Sequence, residues 1–346
     1  MEAYCRRGRL TAEVPSQAEG FRINAKQFFV VDLGTAFGMK VGDDSAAEVH
    51  VFAGEVEVHQ AGTMHALTEG RAVAVDPAGA VRETAGIAGS GFPSPSGMDS
   101  LAGELRRQRL DTWQQVLSSH RQHPGLLRYF TFGENPSARR NLTNLSPAAE
   151  ADVVIIGAQW TDGRWPGKRA LDFCGVNDRV RFEVPGQFTS LTKVASVRTS
   201  GAPGRGSSLM MTDNFEAGEV HWQISPKGEL QVGIQHPDLI SGIDYKSLVV
   251  FTPEVGRQWM RVALVIDGTT REVQHYVDGR LIGSDTLRSP LPLRIGMSEL
   301  GNWNRLGHST VRPVRNYVGM MDEFMLFNHA LTEAEITNLC GWNADG

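Results

Sequence analysis

The stretch that decides the fold class reads MRVALVIDGTTREVQHYVDGRLIG over residues 260–283. Apolar side chains alternate from Met260 to Ile266, which is the period of a β-strand with one buried face. This strand ends at Asp267-Gly268, and a second alternating segment follows it and ends at Asp278-Gly279. Because Asp-Gly favours the two-residue turns of hairpins, the stretch predicts consecutive antiparallel strands.

Similar strand signals recur on both sides of this stretch, from Leu126 almost to the end of the chain. Trp222 and Ile224 alternate before the turn sequence at 225–228, and the alternation resumes at 230–234. Several short strands with regular turn signals between them are typical of a β-sandwich. We therefore predict a sandwich domain over residues 126–342.

The last predicted element of this domain is a short helix. Thr332 and Glu335 match the capping-box pattern, in which each residue bonds the backbone N–H of the other. Apolar residues at 334, 336, 339 and 340 then form one face of the helix.

The N-terminal part of the chain is predicted to be a small β domain over residues 1–76. Val49 and Val51 share one parity, Val56 and Val58 share the other, and the change at Ala53-Gly54 predicts a tight turn between two strands. Residues 77–125 are predicted to be a linker, since 77–98 are rich in Gly, Ala, Ser and Pro. Approximate helical spacing predicts one helix within this linker, at about residues 100–121.

Composition excludes several classes of protein. The chain has 346 residues, with 34 Lys and Arg against 39 Asp and Glu, so its formal charge is −5. This balance gives no basic surface for nucleic acid. No window approaches the roughly 18–20 consecutive apolar residues of a membrane helix. The cysteines, Cys5, Cys174 and Cys340, form no C-x-x-C pair, which excludes a zinc knuckle.

Residues 20–75 resemble the FecR domain. The matching motifs are DLGTAFG at 32–38, VHVFAGEVEV at 49–58 and EGRAV at 69–73. The resemblance implies a small β-roll, the extracytoplasmic part of regulators that pass a signal to a sigma or anti-sigma factor. Members normally begin with a cytoplasmic segment and a membrane helix, so we expect Met1 to fall inside the β-roll of a truncated chain. The parent protein is then expected in the periplasm or at the cell surface.

Residues 126–342 resemble the LamG-like, concanavalin A-like jelly roll. The matching motifs include GRWPGKRALDF at 163–173, YVDG at 276–279 and GMMDE at 319–323. The resemblance implies two stacked antiparallel sheets. It also implies a structural calcium ion, held by Asp322 together with backbone oxygens of the first strand near Glu134. The alternative is that Asp322 forms hydrogen bonds to a loop.

No catalytic residue is predicted. Glucanases of this fold need two carboxylates that flank the glycosidic bond, on one face of a strand. The sequence has no such run, and the adjacent residues Asp322 and Glu323 are expected on opposite faces of their strand.

The candidate ligand-binding residues are aromatic side chains and their polar neighbours. Trp222, Trp303 and Tyr317 could stack on sugar rings, and Trp303 is the best candidate because Asn302 and Asn304 place it in a polar loop. The alternative is partly buried packing, which is common for Trp. We therefore predict a non-enzymatic binding protein for a carbohydrate or a cell-surface protein, linked to a sigma system. The alternatives are a glycan-cleaving enzyme of this fold and a structural module of the cell envelope.

Overall fold

The computed structural model describes residues 2–85, 91–92, 95–133, 140–147, 153–201, 206–253, 255–303 and 315–340. The chain divides into two compact units, unit 1 over residues 1–106 and unit 2 over residues 107–346. The division falls within helix α1, Pro95–Arg121, which begins about five residues before the predicted start. None of the described helices combines the length and the apolar character that a membrane span needs.

The described part of unit 1 contains two five-stranded sheets, one 3-10 turn at Ser16–Ala18 and the beginning of α1. The strands are β1 Glu2–Tyr4, β2 Gly8–Glu13, β3 Arg22–Asn24, β4 Phe29–Asp32, β5 Ala36–Val41, β6 Ala47–Ala53, β7 Glu55–Gln60, β8 Thr63–Thr68, β9 Arg71–Val75 and β10 Val81–Ala85. The first sheet has the order β1-β3-β4-β7-β8, and the second has the order β10-β9-β6-β5-β2. Their ladders are antiparallel except for the parallel pair β1–β3.

The chain turns at Ala53-Gly54, as predicted, but the turn does not close a hairpin. Strand β6 lies in the second sheet and β7 in the first, so Gly54 is a corner between the sheets. Gly54 has φ +79°, a conformation that favours glycine. The parity change across this corner buries Val51 and Val56 in one shared core.

Residues 77–85 are not a linker, contrary to the prediction from composition. They contain β10, in which Val81 pairs with Val75 of β9. The carboxylate of Asp76 accepts hydrogen bonds from the N–H groups of Ala78 and Ala80, both at 2.9 Å, and so closes the turn. Small turn residues around a five-residue strand made this segment similar to a linker in composition.

Unit 2 contains two larger sheets and the short helix α2. Its strands are β11 Leu126–Phe130, β12 Val154–Ile156, β13 Gln159–Asp162, β14 Arg169–Phe173, β15 Arg179–Phe188, β16 Leu191–Thr199, β17 Ser207–Thr212, β18 Val220–Ile224, β19 Glu229–Ile234, β20 Ile243–Val249, β21 Met260–Asp267, β22 Glu272–Val277, β23 Arg280–Thr286, β24 Leu293–Leu300 and β25 Gly319–Phe327, followed by α2 Glu333–Cys340. The eight-stranded sheet has the order β13-β14-β25-β16-β21-β22-β23, and β11 also pairs with β25. The seven-stranded sheet has the order β12-β15-β24-β17-β18-β19-β20.

The predicted hairpins of unit 2 are confirmed. Strands β18 and β19 pair around the turn at 225–228, and β21 pairs with β22. Strands β22 and β23 meet at Asp278 and Gly279, which have φ values of +46° and +80°. Positive φ at both central residues is the geometry that Asp-Gly favours in a two-residue hairpin turn.

The two sheets of unit 2 enclose the main core, which contains Trp222, Val232, Leu264 and Phe324. A second apolar layer lies on the outer face of the eight-stranded sheet, where α2 packs through Ile336 and other residues. The architecture is a mostly antiparallel β-sandwich of the concanavalin A-like jelly-roll type, as predicted. The outer face of the seven-stranded sheet carries polar residues instead of an apolar layer.

Candidate functional site

A row of polar side chains crosses adjacent strands on the outer face of the seven-stranded sheet. Ser208, Gln223, Gln231 and Lys246 are successive cross-strand partners on β17, β18, β19 and β20. The residues next to Gln223 along its strand, such as Trp222, lie in the core. Because side chains alternate along a strand, this row, called the polar row below, faces outward.

Two atoms of the polar row have no hydrogen-bond partner among the described residues. They are Ser208 Oγ and Gln223 Oε1, and both are buried. Buried polar atoms are almost always hydrogen-bonded, since an unmade bond costs about 1–3 kcal/mol. A methyl group at Gly206 would lie only 3.3 Å from Gln223 Oε1, so the glycine leaves space beside the amide. The pair therefore offers bonding capacity that the described protein atoms do not use.

Aromatic and cationic groups lie beside the polar row. The half-buried ring of Trp303 meets His221 edge to face at a centroid distance of 5.1 Å, and the guanidinium of Arg315 lies 5.0 Å from the centre of the Trp303 ring. His221 also contacts Phe215, with the ring centroids 4.4 Å apart. Gly242 leaves room for Phe215, because a methyl group there would lie 2.4 Å from that ring.

His221 positions this aromatic group and is neutral at neutral pH. Burial lowers the pKa of His221 to about 3. Its Nε2 lies 2.8 Å from both Thr212 Oγ1 and the carbonyl oxygen of Asn214. Both contacts fix the ring at Nε2, so Trp303 packs against a neighbour that is held in place.

An ion-pair network lies at the neighbouring strands of the same sheet. Arg181 contacts Glu299 at 2.8 Å and Asp213 at 2.5 Å, and Arg179 lies 3.2 Å from Glu299. Glu299 is buried, so these pairs hold β15 and β24 together beside the polar row.

The structure brings Trp303 to this face but places other predicted ligand-binding residues elsewhere. Trp222 and Tyr317 are fully buried in the core, so the prediction that they stack on sugar rings is wrong. Asn302 is also buried, and its amide donates to the carbonyl of Val176 at 2.8 Å, which fixes the loop. Asn304 lies outside the described residues.

The prediction that Asp322 and Glu323 lie on opposite faces of β25 is wrong. The register of β25 against β16 shifts between Ser196 and Val197, which marks a β-bulge. An extra residue reverses the alternation of a strand, so both carboxylates lie on the same face. Arg164 contacts both of them, with Nε 2.8 Å from Asp322 and Nη2 2.7 Å from Glu323.

Glu323 is held by several further groups. Tyr129 donates its hydroxyl proton at 2.6 Å, Trp113 donates from Nε1 at 3.2 Å, and Arg261 lies 3.1 Å away. Burial by itself would raise the pKa of Glu323, but the charges of Arg261 and Arg164 outweigh it and hold the pKa far below its usual value. The carboxylate is therefore ionised and engaged inside the protein.

The described residues around Asp322 do not fit a calcium ion. Calcium takes about six to eight oxygen ligands, whereas the guanidinium of Arg164 occupies this carboxylate and the ammonium of Lys168 occupies the main-chain oxygen of the same residue. The backbone N–H of Arg164 donates a hydrogen bond to the Asp322 carboxylate at 2.9 Å. Asp322 therefore bonds to a loop, which was the alternative to calcium binding. The ammonium of Lys168 donates to the carbonyl oxygens of Thr131 and Asp322.

Glu134, the other residue of the predicted calcium site, lies outside the described residues. Within the described part of the chain, no three His, Cys, Asp or Glu side chains come together as a set of metal ligands.

Sequence reasoning missed Ser208 and Gln223. The alternation at 220–234 already places Gln223 opposite in direction to Trp222, so a signal for this residue was present. Ser208 had no such signal, because the strand SSLMMT at 207–212 shows no alternation and contains a register shift.

Comparison with known proteins agrees with this architecture. Residues 174–337 match the family model of the concanavalin A-like lectin/glucanases superfamily. A search of curated protein sequences found no match. The resemblance of residues 20–75 to the FecR domain stays a prediction.

Several solved structures are similar to this chain. The binding domain of Paraclostridial Mosquitocidal Protein 1 shares 14% identity at a TM-score of 0.49, over 63% of this chain and 52% of that one. Domain 4 of AbnA, a GH43 extracellular arabinanase from Geobacillus stearothermophilus solved with arabinotriose, shares 17% identity at a TM-score of 0.45, over 62% and 98%. The structure of botulinum neurotoxin type C, whose cell entry depends on two ganglioside molecules, shares 13% identity at a TM-score of 0.47, over 63% and 51%. This chain thus spans about half the length of the first and third of these proteins.

Proposed function

We propose that unit 2 binds a carbohydrate on the outer face of its seven-stranded sheet and does not cleave it. The observation that carries this proposal is the pair Ser208 Oγ and Gln223 Oε1, which are buried, adjacent and without partners among the described residues. A sugar hydroxyl both donates and accepts hydrogen bonds, so it can satisfy both atoms at once.

The neighbours of this pair support a sugar over an apolar ligand. Trp303 offers an aromatic ring for the apolar C–H face of a sugar, and Arg315 beside it donates hydrogen bonds to oxygen atoms. Gln231 continues the row of amides on the next strand. A few polar groups around an apolar surface are the usual composition of a small-molecule site.

Binding without cleavage is proposed from the state of the carboxylates. Glycoside hydrolysis needs two carboxyl groups on either side of the scissile bond. Asp322 and Glu323 are buried in internal ion pairs, and on the polar face Glu299 is paired with Arg179 and Arg181. These pairings support a binding role over an enzymatic one. The alternative ligand for this face is a surface protein.

A glycan array with matched variants tests the proposal. Gln223→Met keeps the size of the side chain and removes only its hydrogen-bonding atoms, and Trp303→Ala removes the ring. We expect each variant to weaken binding of the recognised glycan by about tenfold or more, since a lost buried hydrogen bond costs about 1–3 kcal/mol. Lys227→Ala, in the exposed turn between β18 and β19, is the control and should bind as the wild type does.

Two results would contradict the proposal. Equal glycan binding by the wild type and Gln223→Met would remove the polar row from the site. New reducing ends after incubation with the bound polysaccharide would show that the protein cleaves its ligand.

We also propose that unit 1 is the extracytoplasmic part of a regulator linked to a sigma factor, as the FecR resemblance implies. In support, the DLGT motif forms a turn that is closed by hydrogen bonds. The Asp32 carboxylate accepts them from the N–H groups of Gly34 at 2.9 Å and Thr35 at 3.0 Å. A two-hybrid assay of the full chain against sigma and anti-sigma factors of its host tests this role. We expect the chain to interact specifically with one of these factors and to lose this interaction when Asp32 is replaced by Ala. The absence of any interaction would contradict the proposal.

A further inference from the structure

Each of the two sheets of unit 1 carries a pocket, and the side chains that line the two pockets differ in net charge. The pocket on the first sheet has 360 Å³, within the range of small-ligand sites. Its described lining includes Arg22, Asn24, Lys26, Phe29, His59 and Gln60. This lining combines cations, amides and an ordered stack of rings.

Three planar groups form a stack at this pocket. Phe29 and His59 are cross-strand partners on β4 and β7, and their rings lie parallel, with centroids 4.6 Å apart and an angle of 6° between the planes. The guanidinium of Arg22 lies 3.6 Å from the centre of the Phe29 ring. His59 is held in turn by Glu57, whose carboxylate lies 2.7 Å from Nε2. A guanidinium stacked on a ring is pre-oriented, so it loses less entropy when it binds an anion.

The charges of the pocket are unbalanced. Its described lining holds Arg22 and Lys26 but no carboxylate. Lys26 is exposed and makes no hydrogen bond or ion pair with the described residues. Arg22 donates from Nε to Asn24 at 2.8 Å, and its nearest acid, Glu2, is 3.8 Å away and largely exposed.

The pocket on the second sheet provides a comparison within the same unit. It has 380 Å³ and also contains two cations, Lys40 and Arg82. Its lining includes three acids, Asp44, Glu48 and Asp76, which offset those charges. The pocket at Arg22 is therefore the one that favours an anion.

We propose that the pocket at Arg22 binds a sugar that carries a carboxylate, that is, a uronate. The planar fork of Arg22 matches a carboxylate, and Lys26 adds a second positive charge. The amide of Gln60 can bond to the hydroxyl groups of a sugar ring, which inorganic phosphate does not have. Gln27, which also lines the pocket, has a buried Oε1 with no hydrogen-bond partner among the described residues. This site lies in unit 1 and does not depend on the function proposed for unit 2.

Calorimetric titration of the full-length protein with trigalacturonate tests this inference. The methyl-esterified trimer is the matched neutral probe, and inorganic phosphate is the matched simple anion. We expect trigalacturonate to bind and both other probes to bind at least about tenfold more weakly, because the methyl ester lacks the charge for a charge-assisted hydrogen bond and phosphate lacks the sugar ring. The affinity for trigalacturonate should also fall when salt is added, since salt screens the charges of an exposed site.

Three variants locate the binding. Lys26→Gln should weaken trigalacturonate binding by about tenfold and leave the fold intact, because Lys26 is exposed and unpaired among the described residues. Arg22→Gln should weaken it by at least as much. Arg82→Gln, in the other pocket, is the control and should bind as the wild type does.

The inference is overturned if trigalacturonate does not bind, if its methyl ester or phosphate binds as tightly, or if Lys26→Gln binds as the control does. Loss of binding in Gln223→Met but not in Lys26→Gln would place the uronate on unit 2 and would also overturn it. A failed glycan array for unit 2 leaves this titration unaffected, so the two proposals fail separately.

Discussion

At the scale of single residues, Lys193 lies on β16 inside the sandwich of unit 2, directly opposite Leu264 and Leu326 of the neighbouring strands. Both leucines belong to the core, and Lys193 itself is fully buried. Among the described residues its ammonium has one hydrogen bond, to the carbonyl oxygen of Val220 at 3.2 Å. Burial lowers the pKa of Lys193 to about 7, so the fold carries the cost of a poorly solvated charge.

We expect Lys193→Met to stabilise the protein, most strongly at or below about pH 7. Between about pH 7 and the unperturbed value of 10.5, the unfolded chain keeps a proton that the native lysine has lost. The stability of the wild type therefore rises with pH by about 1.4 kcal/mol per pH unit in this range. The variant lacks this contribution, so its advantage should shrink as the pH rises. Urea denaturation of both proteins at about pH 7 and about pH 9 measures this difference.

Lys168→Met is the matched control for a buried lysine with several partners. The ammonium of Lys168 donates to the carbonyl oxygens of Thr131 and Asp322, and to that of Arg169 at 3.2 Å. Removal of this donor leaves buried carbonyl groups unpaired, so we expect a loss of about 1–3 kcal/mol. A change of the same sign in both variants would contradict this account of the two lysines.

At the scale of elements, α2 shows how a short helix is held on a sheet. The predicted capping box is confirmed, because the Thr332 N–H donates to Glu335 at 2.8 Å and the Glu335 N–H donates to Thr332 Oγ1 at 3.3 Å. The helix then buries Ile336, Leu339 and Cys340 against the outer face of the eight-stranded sheet. Local bonds start the helix, and contacts with the sheet stabilise it.

We expect Thr332→Ala to lower the stability of unit 2 by about 1 kcal/mol, because Ala cannot accept the hydrogen bond from the helix N-terminus. Glu335→Gln should cost less, since Gln also serves in a capping box. Thermal unfolding followed by circular dichroism compares the two. An equal loss for both variants would mean that the charge of Glu335 contributes as much to the cap as the hydroxyl of Thr332, contrary to this account.

At the scale of the whole molecule, each unit has its own core. The core of unit 1 contains Val30, Val58 and Val73, and that of unit 2 contains Val232 and Leu264. Among the described residues, these cores share no member. A unit with its own core can unfold as a separate cooperative transition.

We therefore expect two transitions in differential scanning calorimetry of the full chain. Val58→Ala should lower the midpoint temperature of one transition and Val232→Ala that of the other. In each case the buried large-to-small change should reduce the free energy of unfolding of the affected unit by about 2 kcal/mol. Both valines are fully buried, so the two variants are matched in chemistry. A single transition that both variants lower equally would contradict the independence of the units.

The sequence by itself determined the β-sandwich class of unit 2, the hairpins of β18–β19 and β21–β23, and the cap of α2. These features depend on alternation and turn chemistry within a few residues, which act wherever the chain folds. The position of Trp303 in a polar loop was also visible, but the polar row beside it was not recognised.

Only the tertiary structure decided which strands pair and which face each side chain occupies. The bulge at Asp322 brought both carboxylates of Asp322 and Glu323 to Arg164, and the tight turn predicted at Ala53-Gly54 became a corner between two sheets. Residues Ser208 and Gln223 became neighbours because β17 and β18 pair in one register. Register arises from contacts between residues far apart in the chain, and a shift of one residue reverses every face, so local patterns do not contain this information.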